Sequence, residues 1–412
     1  MCQSPPDEPG WPQSTPTTDI STRFVHLDDL ECHVLEAIPK NLPSHPSESK
    51  CPLLLLLHGF PELCYSWRKV IVPLCEAGYH VVAPDQRGFG RTSMGDGGRI
   101  RFEDDLAPFR MLNLVKDIVA LVYALGYDSA AAVIGHDFGS LVAGYCALIR
   151  PDLFRSVVMM SAPFPGAPSL PVPSQSNSAP SLGSMAVSLR EQLASLAPSR
   201  KHYTLYFSTA EANEQMLKPP GGLHSFLRHY FHAKSANWEG NVRNIPHRLS
   251  SPSVVHLATL PRYYIMLRDE TMPEAVKGCL KSRGENTSDE PDATLAWLPD
   301  DQLAVYTKEY ERTGFQGGLN WYRCMTDAKW SLELQVFSGK RIVVPGMFIS
   351  GKQDWGTYQS PGAAESMRDH ICERMDAEDF VLIEGAGHWV QQERSSEVVK
   401  HISRFLEKAR RK

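Results

Sequence analysis

The segment Pro52–Leu57 places five leucines on consecutive positions and ends at His-Gly. Such an unbroken apolar run predicts a strand that is buried on both faces, as in a parallel sheet covered by helices. Up to residue 162, short apolar runs alternate with segments of helical periodicity, and the same alternation returns at residue 341. The pattern predicts an α/β fold, with a mostly parallel sheet and helices on both of its faces.

The α/β pattern is interrupted in the middle of the chain. Residues 163–198 are rich in Pro, Ser and Gly, and residues 199–335 show helical patterns without a convincing strand. We expect a core domain formed by residues 21–162 and 336–412, with a helical cap domain, residues 163–335, inserted between its halves. A Ser/Pro-rich connection, residues 165–198, would open the cap, and residues 1–20 are predicted to be disordered.

Charge and cysteine content exclude several classes of partner. The chain has 42 Lys and Arg against 47 Asp and Glu, a net charge of −5, which gives no electrostatic reason to expect nucleic acid or an anionic membrane. Its longest apolar run, Ile118–Leu125, is far too short to span a bilayer. Nine scattered cysteines without a CxxC pair indicate neither a zinc site nor a disulfide framework. The odd number of cysteines and an N-terminus without secretory features favour a cytoplasmic protein.

The segment Gly135-His136-Asp137-Phe138-Gly139 follows a predicted buried strand and directly precedes a predicted helix. Its small–x–nucleophile–x–small form is that of a nucleophile elbow, a sharp strand-to-helix turn that exposes its central side chain above the sheet. That residue is usually serine, whereas here it is Asp137. Because an Asp after a strand can also be a simple helix N-cap, the motif alone leaves both roles open.

Two later residues favour the catalytic interpretation. Asp354 and His388 lie on the loops Ser350–Trp355 and Glu384–Trp389, each of which follows one of the last predicted strands. The α/β-hydrolase fold carries its acid and its base on these two loops, in the same chain order of nucleophile, acid and histidine. The sequence therefore predicts a triad of Asp137, Asp354 and His388.

The loop His58–Glu62 directly follows the leucine strand, where this fold supplies one amide of an oxyanion hole. We expect the backbone N–H groups of Phe60 and Phe138 to form that hole. The segment Asp85–Thr92 is predicted to be a structural turn without a role in the chemistry.

The segments HGFPE, DQRGFGRTS, GHDFGS, GxxD and GHW, in this order, resemble those of the epoxide hydrolases of the α/β-hydrolase superfamily. The resemblance covers roughly residues 22–408 and is to the soluble type, without an N-terminal phosphatase domain. In the insertion, Gly314–Arg323 is similar to the family's GFxGxLNWYR segment, and His202–Phe207 to the segment with a second cap tyrosine. The resemblance implies that Tyr322 and Tyr203 face the nucleophile from the cap, with the neighbouring Tyr206 as the alternative to Tyr203.

An aspartate nucleophile suits an epoxide better than an acyl substrate. A serine that attacked an epoxide carbon would form an ether, which histidine and water cannot cleave, whereas a carboxylate forms an ester, which they can. We therefore expect a hydrolase that converts epoxides to vicinal diols through an alkyl ester on Asp137, with water activated by His388. The two cap phenols would donate hydrogen bonds to the epoxide oxygen, and no metal or organic cofactor is required.

Two alternatives remain open on the same fold. A haloalkane dehalogenase shares the aspartate and the histidine, but it needs halide donors, typically a Trp after the nucleophile, where this chain has Phe138. A non-catalytic ligand-binding protein would keep the pocket without turnover.

Aromatic residues near the motifs predict the substrate pocket. Phe60, Trp355 and Trp389 indicate an apolar pocket that would take a small apolar epoxide and water. Lipid epoxides, metabolic intermediates and xenobiotic oxides, whose hydrolysis would be a detoxification, all fit such a pocket. The sequence does not indicate the oligomeric state.

Overall fold

A computed structural model describes residues 11–40, 50–95, 97–170, 189–281 and 292–411 of the 412-residue chain. The strands are Thr18–Leu27 (β1), Leu30–Pro39 (β2), Leu53–Leu57 (β3), His80–Pro84 (β4), Ser93–Met94 (β5), Ala132–His136 (β6), Val157–Met160 (β7), Arg200–His202 (β8), Ile265–Leu267 (β9), Ile342–Gly351 (β10), Cys372–Arg374 (β11) and Phe380–Ile383 (β12).

The α-helices are Ile71–Glu76 (α1), Met111–Ala124 (α2), Phe138–Ile149 (α3), Tyr203–Phe207 (α4), Ala212–Leu217 (α5), Leu223–Ala233 (α6), Glu239–Arg243 (α7), Val254–Leu257 (α8), Met272–Lys281 (α9), Asp300–Thr313 (α10), Gln316–Thr326 (α11), Ala328–Ser331 (α12), Ala363–Ser366 (α13), Val390–Glu393 (α14) and Ser395–Arg410 (α15). Shorter 3₁₀ turns are Cys64–Trp67, Ala107–Phe109, Asp292–Ala296, Leu332–Phe337, Trp355–Thr357 and Ala377–Asp379, and Met367–Ile371 forms one π-turn. Of the helices within the described ranges, none combines the length and the apolar character needed to cross a bilayer.

Ten strands form one sheet in the order β1-β2-β4-β3-β6-β7-β10-β11, with β5 beside β2 and β12 beside β10. From β4 to β11 the strands of this order run parallel to one another, whereas β2 is antiparallel to both β1 and β4. All five leucines of β3 are buried, because this strand lies between β4 and β6 and has helices packed against its sheet. The predicted α/β fold with a mostly parallel sheet is confirmed.

A predominantly helical region, residues 189–337, is inserted between β7 and β10, as expected for a cap. It also contains the antiparallel pair of β8 and β9, which the sequence analysis missed because three-residue strands are too short to show periodicity. Residues 171–188, which make up most of the predicted Ser/Pro-rich connection, lie outside the described residues, and residues 189–194 are helical. The boundaries of the cap at residues 163 and 335 stay a prediction.

The predicted disorder is wrong for residues 11–20. The strand β1 begins at Thr18, and the buried ring of Trp11 lies 5.0 Å from the ring of Tyr65. An indole buries a large apolar surface, so a single Trp can anchor a segment that is otherwise rich in Pro and Ser. Residues 1–10 lie outside the described residues.

The segment Asp85–Thr92 forms a closed turn after β4. The carboxylate of Asp85 accepts hydrogen bonds from the backbone N–H groups of Cys64, at 2.8 Å, and Arg91, at 3.0 Å. It also contacts Nδ1 of His33 at 2.8 Å. Because both carboxylate oxygens are used by these contacts, they fit the structural role predicted for the segment.

This turn also supports the cap helix α11. The backbones of Gly88 and Gly317 are so close that a Cβ atom on Gly317 would lie 2.0 Å from the carbonyl oxygen of Gly88. Trp321 lies four residues after Gly317 on the same helix, and its Nε1 donates a 3.0 Å hydrogen bond to the carbonyl oxygen of Arg87. The turn therefore fixes the helix that carries Tyr322.

Candidate active site

Asp137 lies at the junction between β6 and α3, with φ at +53° and ψ at −121°. A positive φ is uncommon for a residue with a side chain and persists only where the surroundings enforce it. A Cβ atom on Gly135 would lie 2.0 Å from the carbonyl oxygen of Gly139, so the close approach of strand and helix requires glycine there. The strained elbow leaves Asp137 only 8% exposed at the N-terminus of α3.

The two carboxylate oxygens of Asp137 have different partners. Oδ1 accepts a 3.0 Å hydrogen bond from the backbone N–H of Phe60, one of the two predicted oxyanion-hole amides. Oδ2 lies 3.3 Å from Nε2 of His388. The other predicted hole amide belongs to Phe138, the first residue of α3 and the next residue after Asp137. The loop after β3 and the elbow after β6 meet here because β3 and β6 are parallel neighbours.

Asp354 lies behind His388 and holds its imidazole ring. Nδ1 of His388 is 3.1 Å and 3.2 Å from the two carboxylate oxygens of Asp354. Asp354 is itself fixed by hydrogen bonds from the backbone N–H of Gly356, at 2.7 Å, and the hydroxyl of Ser350, at 3.2 Å. The structure therefore brings the three predicted triad residues into one contiguous chain of contacts, with His388 and Asp354 fully buried.

The charges of the triad set its protonation. Burial alone would raise the pKa of Asp137, but the hydrogen bond with His388 and the charges of His388 and Lys234 hold that pKa well below its usual value. Burial and the charge of Lys234 act to lower the pKa of His388, yet Asp354 and the hydrogen bonds to both carboxylates raise it. Asp137 is thus a carboxylate at neutral pH, and His388 is a strong base between two anions.

The side chain of Glu393 holds the loop that carries His388. The carboxylate of Glu393 accepts hydrogen bonds from the backbone N–H groups of Gly387, at 3.0 Å, and Trp389, at 3.1 Å, the two neighbours of His388. It also accepts a 2.9 Å hydrogen bond from the backbone N–H of Ala236 in the cap. A single side chain therefore ties the base-carrying loop to the inserted domain.

Both predicted cap tyrosines lie near the nucleophile. The ring of Tyr322, on α11, is 5.2 Å from the ring of Phe138 and 5.5 Å from the ring of Phe60. The ring of Tyr203, at the start of α4, is 6.0 Å from that of Tyr322. Burial, reinforced by the charge of Asp137, raises the pKa of both phenols, so both remain protonated hydrogen-bond donors at neutral pH.

Tyr206, the alternative to Tyr203, has different surroundings. The ammonium group of Lys201 lies 4.9 Å from its ring centroid. Burial raises the pKa of Tyr206, and the carboxylates that act on it are Glu274 and Glu211. The charge of Asp137 therefore acts on Tyr203, whereas Tyr206 is influenced by other carboxylates, and the choice of Tyr203 over Tyr206 stays a prediction.

Three cap residues near Asp137 were not predicted. Besides burial, the charge of Asp137 acts on the pKa of Tyr230, Tyr264 and Lys234. Tyr230 and Lys234 are four positions apart at the end of α6, and residues at this spacing lie on one helix face. The only sequence signal that could have indicated these residues was a lysine on a helix face that it shares with aromatic residues.

The predicted pocket residues occupy different positions. The ring of Phe60 faces Tyr322, and it also lies 5.1 Å from the ring of Phe207 in the cap. The indole N–H of Trp389 donates a 2.8 Å hydrogen bond to the carbonyl of Phe231, and Trp389 is fully buried. The pocket role of Trp389 stays a prediction.

The third predicted pocket residue, Trp355, is buried next to Asp354, with its ring 5.3 Å from that of His247 in the cap. Its pocket role also stays a prediction. A cavity of about 600 Å³ is lined by Phe138, Leu141 and Trp321 among other residues of the core and cap. None of the three predicted pocket residues lines this cavity.

Two groups of side chains within the described ranges have the spacing of metal ligands, and neither includes a triad residue. In one of them, His33, Cys64 and Asp85, the carboxylate already accepts hydrogen bonds from the backbone N–H groups of Cys64 and Arg91. In the other, Asp376, Glu378 and Asp379, the ammonium group of Lys408 contacts all three carboxylates. Both groups therefore have structural partners.

The comparisons with known proteins agree with this geometry. A family model described as the alpha/beta hydrolase fold matches residues 52–395. Epoxide hydrolase A of Mycobacterium tuberculosis is 31% identical over 385 residues, which cover 93% of this chain and 96% of that protein. The crystal structure of epoxide hydrolase A from Mycobacterium thermoresistibile aligns with a TM-score of 0.67 and 30% identity, over 94% of this chain and 98% of that one.

A structure described as an epoxide hydrolase from an endophytic Streptomyces aligns with a TM-score of 0.71 and 27% identity, over 95% of this chain and 96% of that one. These similarities span the core and the inserted cap together. The chain therefore belongs to the epoxide hydrolases of the α/β-hydrolase fold.

Proposed function

We propose that the chain hydrolyses epoxides in two steps, through an alkyl ester on Asp137. The observation that carries this proposal is the pairing of a carboxylate at the elbow with two different partners. Oδ1 is bound by the N–H of Phe60, and Oδ2 faces Nε2 of His388. Oδ1 thus lies where the carbonyl oxygen of an ester would need an oxyanion hole, and Oδ2 is the oxygen left for attack.

In the first step, Oδ2 of Asp137 attacks an epoxide carbon, a carbon–oxygen ester bond forms and the ring carbon–oxygen bond breaks. The ring oxygen keeps the electron pair and takes the phenol proton of Tyr322 or Tyr203. Because burial raises the pKa of both phenols, they remain protonated until the oxygen develops charge. A hydrogen-bond donor aimed at a developing oxyanion contributes roughly 2.7–4 kcal/mol to the transition state.

In the second step, Nε2 of His388 takes a proton from water, and the water oxygen adds to Cγ of Asp137. The negative charge on Oδ1 is held by the N–H groups of Phe60 and Phe138. The intermediate then collapses, the bond between Cγ and Oδ2 breaks, and Oδ2 leaves as the second oxygen of the diol and takes the proton from His388. The carboxyl of Asp137 returns a proton to the phenolate, so that the sum is one epoxide and one water to one diol.

The surroundings of Phe138 disfavour the dehalogenase alternative. Phe138 has no side-chain donor for a halide, and the nearest indole packed against it is that of Trp321, 5.1 Å away. The N–H of Trp321 is already donated to the carbonyl of Arg87. A leaving halide would therefore find no free donor in this aromatic pair, whereas an epoxide oxygen would find the two cap phenols.

Isotope labelling tests the covalent step. A single turnover of a styrene-oxide-like epoxide in heavy-oxygen water, with enzyme in excess, should give mostly unlabelled diol and leave the label in Asp137. The oxygen comes from the carboxylate, because water attacks Cγ and not the substrate carbon. Direct attack by activated water would instead label the diol fully in the first turnover and leave the protein unlabelled. A haloalkane assayed in parallel should not be turned over.

The substrate class and the compartment remain the ones expected from the sequence. The rings of Phe60, Phe207 and Tyr322 pack against one another, and the backbone of Phe60 binds Asp137, so aromatic surface next to the nucleophile favours a small apolar epoxide. The eight cysteines within the described ranges are free thiols, which agrees with the reducing cytoplasm proposed for the protein.

A further inference from the structure

Lys234 is a buried lysine beside the triad that the two-step mechanism does not use. It directly follows the cap helix α6 and is only 6% exposed. Its Nζ atom lies 5.4 Å from the ring centroid of Tyr230, 5.2 Å from that of Tyr264 and 5.4 Å from that of Trp389. Aromatic faces at this distance attract a cation, so three rings together favour the charged form of a lysine that has left water.

The charge of Lys234 interacts with carboxylates of the active site. Burial lowers its pKa, and the charges that act to raise it again are those of Asp137, Asp354 and Glu62. Among the described residues it has no ion-pair partner of its own. The ammonium group therefore acts at longer range on the carboxylates of the triad and is not neutralised by one of them.

The backbone holds this cation at a fixed position relative to the base. The carbonyl oxygen of Lys234 accepts a 2.8 Å hydrogen bond from the backbone N–H of His388. The ring of Trp389, which contacts Nζ, lies 4.7 Å from the ring of His388. Two positions further on, Ala236 is bound by Glu393, the residue that also clamps the neighbours of His388.

The charges around His388 change during the proposed reaction. Asp137 faces the imidazole from the elbow, Asp354 from the loop after β10, and Lys234 from the cap. Behind the ring, Nε2 of His136 contacts the carbonyl oxygen of His388 at 2.7 Å, and the buried Glu62 pairs with His136. Ester formation removes the negative charge of Asp137 and leaves the other groups in place.

We propose that Lys234 is a positioning residue for the second step, whose charge keeps His388 in the neutral form that accepts a proton from water. The inference rests on the proposed two-step function. A nearby positive charge disfavours the imidazolium form, and it matters most once the ester has removed the opposing charge of Asp137. Without this cation, Asp354 alone would hold a proton on His388 and delay hydrolysis of the ester.

The test follows both half-reactions in single turnovers of a styrene-oxide-like epoxide across a pH series. In Lys234→Met, the acid limb of ester hydrolysis should move about one pH unit upward, since loss of a like charge raises the pKa of the histidine. On the acid side the ester should then decay about tenfold more slowly than in the wild type, with the same alkaline plateau. Lys234→Arg keeps the charge and should retain the wild-type profile.

Lys201→Met is the matched control, because Lys201 also lies over a cap tyrosine ring, at 4.9 Å, while the carboxylates that act on it are Glu270, Asp269 and Glu274. It should leave both half-reactions unchanged. Superimposable pH profiles for Lys234→Met and wild type would overturn the role of Lys234, as would an equal shift in Lys234→Arg. If Lys234→Met fails to fold, Lys234→Gln takes its place with the same expected shift. Absence of any ester in the wild type would contradict the two-step function itself.

Discussion

The hydroxyl of Tyr203 donates a 3.2 Å hydrogen bond to Oε1 of Gln359, in the loop that follows Asp354. The hydroxyl of Tyr322 has no such partner among the described residues. The two phenols assigned to the same epoxide oxygen therefore start from different states. Tyr203 has to give up an amide acceptor before it can donate to the substrate, whereas Tyr322 does not, so Tyr322 should contribute more to the first step.

We expect Tyr322→Phe to slow formation of the alkyl ester by about 10²–10³-fold, the cost of removing one oxyanion donor. Tyr203→Phe should slow the same step by a smaller factor, because the Tyr203 hydroxyl must first break its hydrogen bond with Gln359 and so gains less from donating to the epoxide. Ester hydrolysis should be unaffected in both variants. Rapid-quench measurement of the two half-reactions in single turnovers separates these effects.

Tyr206→Phe is the control for this pair, since Tyr206 is buried on the same short helix but is influenced by other carboxylates. It should form the ester at the wild-type rate. A slow Tyr206→Phe beside an unaffected Tyr203→Phe would assign the second phenol to Tyr206. A wild-type rate in Tyr322→Phe would remove Tyr322 from the mechanism.

Replacing His388 by Ala should separate the two chemical steps. Asp137 keeps its hydrogen bond from Phe60 and can still attack the epoxide, but no base remains to activate water. The ester should persist, and intact-mass analysis should show an adduct of substrate mass on the peptide that contains Asp137. Normal turnover of this variant, or an adduct on another peptide, would contradict the assignment of base and nucleophile.

Glu393→Gln should weaken the link between the His388 loop and the cap. The two oxygens of the Glu393 carboxylate together accept hydrogen bonds from three backbone N–H groups. A glutamine has only one accepting oxygen, so its NH₂ group would face at least one of these backbone donors. An unsatisfied buried donor costs about 1–3 kcal/mol in the free energy of unfolding, which urea denaturation can measure. Glu407→Gln, on the exposed face of α15, should leave that free energy unchanged, and an equal loss in both variants would argue against the clamp.

Gly317→Ala should disturb the contact between the cap helix α11 and the turn after β4. The new methyl group would overlap the carbonyl oxygen of Gly88, and overpacking of this kind costs about 1–3 kcal/mol in the free energy of unfolding. Because Tyr322 lies on the same helix, ester formation should slow as well. Gly278→Ala, in the cap helix α9, meets only the flexible guanidinium of Arg262 and should be tolerated. If thermal and urea unfolding of the two variants coincide, the contact does not support the cap.

That Asp137, Asp354 and His388 come together could be predicted because each has a local signature. Asp137 is flanked by small residues between a strand and a helix, and Asp354 and His388 follow strands whose apolar pattern is plain. Trp11 and the strands β8 and β9 were missed, since a single anchor or a three-residue strand leaves no periodic pattern. These elements are stabilised by contacts with distant parts of the chain.

The electrostatic surroundings of the triad were also beyond the sequence. Lys234 reaches the active site only because the inserted domain folds its helix α6 over the core, and no motif marks it. The same holds for Glu393, whose backbone partners come from both domains. A side chain that acts across a domain boundary is defined by three-dimensional packing, and neither spacing nor composition reveals it.

The backbone contact between Gly88 and Gly317 bears on how this protein can be recombined with its relatives. Two main chains that touch without side chains between them leave no soft layer to absorb a difference in shape. A chimera that received only a foreign insertion would seat a new helix on an unchanged turn, and any mismatch would displace the phenol carried by that helix. The insertion and the turn of residues 85–92 should therefore be exchanged together, although Gly88 and Gly317 are 229 positions apart in the chain.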